Sequence, residues 1–248
     1  MTVPIPSLPL LRGDLLHDTI KERIKWFIVE RGLQSGDPLP TEVELVRVLG
    51  VSRNSLREAM RSLQTLGMVE VRHGYGTFVG DFSMDPLVDG LTFRILSDMK
   101  RNIRTVHELL ELRQVIESGL VTRMVEKLTT EDIAELRRLV AGMETRAARG
   151  EAAPIEDRAF HEALYRPLEN GLVIQLLHAF WDIFRAVRDK LPGTPPPVTN
   201  TAAQHRRILE AVESGDGFAA ARAMTEHFRG IQEWIEESKP ILASRERD

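Results

Sequence analysis

The chain has 248 residues, of which 42% are hydrophobic and 28% charged, with a formal net charge of -4; this is a globular composition, long enough for one large or two ordinary domains. It has no cysteine, which excludes disulfides, thiolate metal sites and a cysteine nucleophile. No apolar run approaches membrane-spanning length, and the opening MTVPIPSLPLLRGD lacks the basic start and cleavage pattern of a signal peptide, so residues 1–13 read as a flexible arm and the protein is expected in the cytoplasm, without a membrane partner.

Residues 14–31 place Leu15, Leu16, Ile20, Ile24, Phe27 and Ile28 at helical spacing. GLQSGDPLP breaks that pattern. Thr41 with Glu44 reads as a capping box opening a short helix that ends at Gly50, and Ser52 caps a third helix over Arg53 to Leu66. Two β-type runs follow, Met68 to Arg72 and Thr77 to Val79, joined through His73-Gly74-Tyr75-Gly76. Helix, short helix, helix, hairpin is the order of a winged helix-turn-helix. Residues 81–102 read as a linker holding an apolar helix with Leu87, Val88, Leu91 and Ile95.

Beyond the linker only helical patterns occur: Thr105 to Lys127, Thr129 (a second capping box, with Asp132) to Arg149, Pro154 to Tyr165, Leu172 to Leu191, Thr201 to Glu213 and Phe218 to Ser238. Short connections between amphipathic helices imply an antiparallel bundle. The expected fold is mainly α, with a winged helix-turn-helix over 14–80, the linker over 81–102, an all-helical domain over 103–240 and a tail over 241–248.

Residues 1–80 hold ten basic and nine acidic side chains, so any affinity for nucleic acid depends on local clustering. Arg53, Arg57 and Arg61 fall four apart on the third predicted helix. Each such step turns about 40 degrees, so they share one flank. Arginine pairs bidentately with guanine edges or holds phosphates, and Ser52, Asn54 and Ser55 add polar groups at the end of the helix that enters the groove. A solvated helix face is the alternative, which the surrounding element order disfavours. His73 and Gly74 form a wing tip suited to the minor groove, or simply a hairpin turn.

On the run PLPTEVELVRVLGVSRNSLREAMRSLQTLGMVEVRHGYGTFV, the chain resembles the DNA-binding domain of the GntR family over residues 14–80. The resemblance implies that Ser52, Arg53 and Arg57 contact bases and phosphates, as in FadR-type members, and that His73 with Gly74 meets the minor groove. One departure is Val43, where many members carry an arginine.

In the second half, Asp157 and His161 lie four apart on one predicted helix face. His205 is ten residues before Gly215 and His227 ten after Gly217, so an antiparallel hairpin sets them side by side. One carboxylate and three imidazoles suit a divalent ion such as zinc, nickel or manganese. Singly, each histidine is as well explained by an ordinary buried hydrogen bond. ELLELRQVIES, DRAFHEAL, QHRRILEAVESGD and AMTEHF resemble the FadR C-terminal (FCD) ligand-binding domain in its metal-containing branch, across residues 105–237. That resemblance carries Asp157, His161, His205 and His227 over as metal ligands; the other histidines match no ligand position. Arg113 lies on an otherwise apolar inner face and needs an anion, either Glu117 four residues on or the carboxylate of an effector. Asn170 reads as a helix cap.

Together these features describe a ligand-responsive transcription regulator, expected to be a homodimeric repressor that binds operator DNA, a divalent metal and a small carboxylate, and not an enzyme. Two rivals remain: a metal-dependent enzyme fused to a DNA-binding domain, and a DNA-binding protein whose metal is purely structural.

Overall fold

The computed structural model describes residues 13–99 and 103–245, with side chains over 18–99 and 103–239. The expected arm, except Gly13, and residues 246–248 of the expected tail lie outside this range, as do linker residues 100–102. The chain forms two compact units, residues 1–86 and 87–248.

In the first unit, α1 (Gly13–Glu30), α2 (Glu42–Leu49) and α3 (Arg53–Thr65) precede β1 (Val69–Arg72) and β2 (Gly76–Val79). Thr41 and Glu44 make the expected capping box. Gly50 then ends α2 in the left-handed region at φ 66°, which glycine adopts without steric cost. Ser52 accepts the Ser55 N–H at 3.1 Å and starts α3. α1 buries Ile20, Ile24 and Ile28, and α3 buries Leu56, Ala59 and Leu63. These two stripes, with Leu45, Leu49, Val69 and Val79, form one core. The strands pair antiparallel with Val69 opposite Val79 and Arg72 opposite Gly76. Pro38 adds an antiparallel bridge to Phe78 that the sequence did not suggest. A Cβ at Gly80 would lie 2.1 Å from the Gly67 carbonyl oxygen, so only glycine lets the chain leave the wing there.

The second unit is helical throughout its described residues: α4 (Asp85–Asp98, which begins just before the division), α5 (Arg104–Met124), α6 (Thr130–Ala147), α7 (Pro154–Tyr165), a 3-10 turn over Arg166–Leu168, α8 (Gly171–Arg188), α9 (Val198–Glu213) and α10 (Gly217–Arg245). Thr129 with Asp132 caps α6 as expected, and the Asn170 side chain caps α8. Two boundaries differ from expectation. α10 runs on to Arg245, into the expected tail. The helix expected in a linker buries Ile95 in the core of the second unit, with Val88, Leu91 and Leu96 packed on it, so α4 belongs to the bundle. Helices run antiparallel where their polar contacts can be followed. Ser118 meets Thr225 and Gln114 meets Gln232 between α5 and α10, while Arg137 meets Glu213 and Arg206 meets Glu144 between α6 and α9.

Candidate functional site

On the first unit, α3 turns Arg53, Asn54, Arg57 and Arg61 to solvent while Leu56, Ala59 and Leu63 face inward. Arg57 donates from Nε to both oxygens of Glu42, at 3.0 and 3.2 Å, and Arg61 holds Glu58 at 2.7 Å. All four side chains are exposed, and such pairs contribute little, so a phosphate or a guanine edge can compete for either arginine. Arg53 has no side-chain partner among the described residues. Ser52 Oγ serves both the cap and a 2.9 Å contact with Ser55 Oγ, so its first duty is to the helix. His73 and Gly74 are exposed at the hairpin tip, Gly74 with φ 80°. Val43 is exposed on α2.

In the second unit, α7, α9 and α10 bring Asp157, His161, His205 and His227 together, with one potential ligand atom from each lying within 4.8 Å of the others. The three imidazoles are buried, with ring centroids 4.5 to 5.4 Å apart. Phe160 and Phe228 pack edge-on against them. The tautomers are informative. His205 Nδ1 lies 2.8 Å from the Thr201 carbonyl oxygen, which can only accept, so Nδ1 carries a proton. Its Nε2 lies 2.9 Å from Asp157 Oδ1. His161 repeats the pattern: Nδ1 bonds Glu117 Oε2, and Nε2 faces the same Asp157 oxygen at 3.3 Å without a hydrogen bond. Two imidazole nitrogens directed at one carboxylate oxygen can be satisfied by protons or by a shared divalent ion, and the four donors could hold such an ion. Ligating histidines are commonly oriented through the other ring nitrogen by a carboxylate or a carbonyl in this way.

Burial would raise the Asp157 carboxyl, but His205 and His161 hold it well below the usual range. Burial and then the neighbouring His205 and His161 push His227 well below an ordinary histidine, so it is neutral, as a metal ligand must be; its buried Nδ1 has no partner. Burial opposes charge on His161 too, yet Glu117 and Asp157 raise it.

Glu117 does more than neutralise Arg113. Its Oε1 accepts Arg113 Nε at 2.6 Å, its Oε2 meets His161, and its backbone carbonyl accepts the Tyr165 hydroxyl at 2.9 Å. Burial acts against its charge, but Arg113 and His161 bring its pKa down to about 2. The i, i+4 ion pair was visible in the sequence; the bond to His161 depends on how α5 and α7 pack. Arg113 is stacked between Trp181 and Phe228, at 5.2 and 5.3 Å. Its buried Nη2 has no partner. Arg113 thus engages Glu117 through Nε and leaves Nη2 without a partner.

Arg113, Asp157 and His227 line a cavity of about 130 Å³. Its other walls include Trp181, Phe184 and Arg185 of α8, Trp234 of α10, and Pro195 with Pro196. The sequence marked the proline run only as a helix stop. Of the other histidines, His178 meets Glu162 and His107 meets Glu236, away from the cluster.

The FCD domain family matches residues 108–230, and the family of bacterial regulatory proteins, gntR family, matches residues 16–79. The HTH-type transcriptional regulator LutR of Bacillus subtilis is 30% identical over 81% of this chain and 92% of its own length. The chain belongs to the GntR family. The galactonate operon transcriptional repressor of Escherichia coli is 28% identical to this GntR-family chain over 76% of it and 82% of the relative. The solved structure of Streptococcus agalactiae GntR superposes with a TM-score of 0.62 at 26% identity, covering 88% of this chain and 99% of that one. The protein is thus a DNA-binding transcription regulator with a ligand-binding FCD domain; its relatives are regulators, not enzymes. No described helix is long and apolar enough to cross a membrane.

Proposed function

We propose that the protein is a cytoplasmic, homodimeric repressor in which Asp157, His161, His205 and His227 hold a divalent metal ion beside a small carboxylate effector anchored by Arg113. The observation that carries this reading is the convergence of one potential ligand atom from each of Asp157, His161, His205 and His227 within 4.8 Å of the others. A borderline ion such as zinc, nickel or manganese satisfies that donor set, and it supplies a Lewis-acidic centre that attracts oxygen donors. Arg113 lines the cavity beside it, and its Nη2 is buried without a partner. A guanidinium nitrogen buried without an acceptor is costly, and a carboxylate satisfies it. A relative named for the galactonate operon, galactonate being a hydroxy acid, supports hydroxy acids as the first class to try.

Operator DNA is read by Ser52, Arg53, Asn54 and Arg57, with His73 and Gly74 at the wing. The effector regulates only so far as it binds the DNA-competent and DNA-incompetent states with different affinities. Both oxygens of Glu117 are engaged, which leaves that carboxylate no free role as a general base and weakens the enzyme reading.

The test is calorimetric titration of hydroxy acids into metal-loaded protein, metal-free protein and Arg113→Lys, each also assayed on operator DNA. Lysine keeps a charge for Glu117 but lacks the second arm. Binding that weakens in both altered proteins, and that changes DNA affinity in the loaded one, supports the reading. Equal affinity in all three overturns the site, and binding without effect on DNA overturns the regulation.

A further inference from the structure

The cavity lining holds two further arginines that the metal cluster and Arg113 do not account for. Trp181, Phe184, Arg185 and Arg188 all line it, and their spacing of three, four and seven residues makes them one face of α8. Arg185 has no partner among the described residues. Arg188 is paired only with its chain neighbour Asp189, at 3.4 Å and with both side chains partly exposed, an arrangement that holds a guanidinium weakly. The acidic residue on the same wall, Glu151, is paired with Arg146 at 3.2 Å. Basic residues in the last turn also complement the helix dipole, but that would be served as well by arginines facing solvent on any side of α8. These two line the cavity.

We infer that the effector carries a second anionic group, a carboxylate or a phosphate, received by Arg185 and Arg188 at the end of the cavity opposite Arg113. This deepens the proposed function and rests on its placing of the first carboxylate. α8 serves as the ruler. Arg113 stacks on Trp181, and from Trp181 the helix advances about 6 Å to Arg185 and about 10 Å to Arg188. A void of about 150 Å³ admits a six-carbon ring, so a cavity of about 130 Å³ suits an acid of roughly four to six carbons. An end-to-end dianion of that length spans the ruler. Trp181 also lines the cavity, and its Nε1 is buried without an acceptor. The walls of Phe184, Trp234, Pro195 and Pro196 favour a carbon backbone between charged ends.

The experiment titrates metal-loaded full-length protein with matched acids: 2-hydroxypentanoate against 2-hydroxyglutarate, which differ in the far carboxylate, and glycerate against 3-phosphoglycerate, which differ in the phosphate. Each titration is repeated on the Arg185→Gln/Arg188→Gln double variant, whose substitutions lie at accessible positions and leave the metal cluster intact. A dianion of at least one pair should bind about tenfold more tightly than its partner, the scale of one charge-assisted contact. The double variant should bring that ratio to about one while leaving the monoanion's affinity unchanged. The pair that shows the advantage tells carboxylate from phosphate. Monoanions that bind with no dianion advantage, or an advantage that survives in the double variant, would overturn this inference and leave the metal-and-Arg113 site standing. Failure of all four acids to bind metal-loaded protein would remove the hydroxy-acid reading, and this one with it.

Discussion

Arg57 and Arg113 are each held by a glutamate, at 3.0 and 2.6 Å, but the first pair is 60% and 41% exposed and the second 6% and 0%. Water screens the first pair, so it contributes about 0.2–1 kcal/mol. Arg57 can exchange Glu42 for DNA at little cost. The second pair has no water to fall back on. Breaking it strands a charge in the interior, which typically costs about 3–5 kcal/mol. The same ion pair is thus a removable cover on the DNA-reading unit and a fixed strut in the sensing unit. In the proposed function, recognition in the second unit falls to atoms that the strut does not use: Arg113 Nη2 and the nitrogens of the histidine cluster.

The largest expected effect separates these roles at the metal cluster. His161→Ala and His227→Ala should reduce bound metal from about one ion per chain to almost none, because three remaining donors do not close the set. Elemental analysis of the purified proteins reads this, and full occupancy in both variants would show that the cluster is only a polar core. Next in size, Arg113→Ala should destabilise the second unit by about 3–5 kcal/mol, since Glu117 loses its guanidinium. Denaturant unfolding measures it, and a loss below about 1 kcal/mol would place the pair with Arg57 and Glu42 instead.

Smaller effects are expected on the DNA-reading unit. Arg57→Ala should cost about 1–3 kcal/mol of discrimination between operator and scrambled duplex, with an unfolding midpoint almost unmoved. Binding measured at one salt concentration checks the first part and thermal melting the second; a large drop in stability would mean that the exposed pair is structural. The smallest change is Val43→Arg, which adds one cation to an exposed face. It should steepen the salt dependence of DNA binding by about one counterion, and an unaltered slope would show that this face does not approach phosphate.

Local signals carried much of this from the sequence. The capping boxes at Thr41 and Thr129 need only a side chain and a backbone three residues on, so the ends of α2 and α6 were readable. The helical spacing of Asp157 and His161 was equally local, and the symmetric distances of His205 and His227 from one turn foretold their meeting across a hairpin. α4 was harder. Its apolar positions were visible, but nothing local told whether they cover a core or cross a linker; Ile95 settled it by burial. Glu117 was named only as a partner for Arg113, because its second bond, to His161, joins residues 44 apart in sequence.

By itself the sequence determined the element order, the cluster of arginines on one helix flank and the four candidate ligand residues, since periodicity, caps and turn distances act over a few residues. Only the tertiary structure decided which nitrogens of His161 and His205 face Asp157, which nitrogen of Arg113 stays unpaired, and that Arg185, Trp234 and Pro195 share a cavity with Arg113, Asp157 and His227. Those facts depend on side chains from five helices and the proline segment between α8 and α9 converging through packing. Packing is a property of the whole folded core, and no stretch of chain contains it.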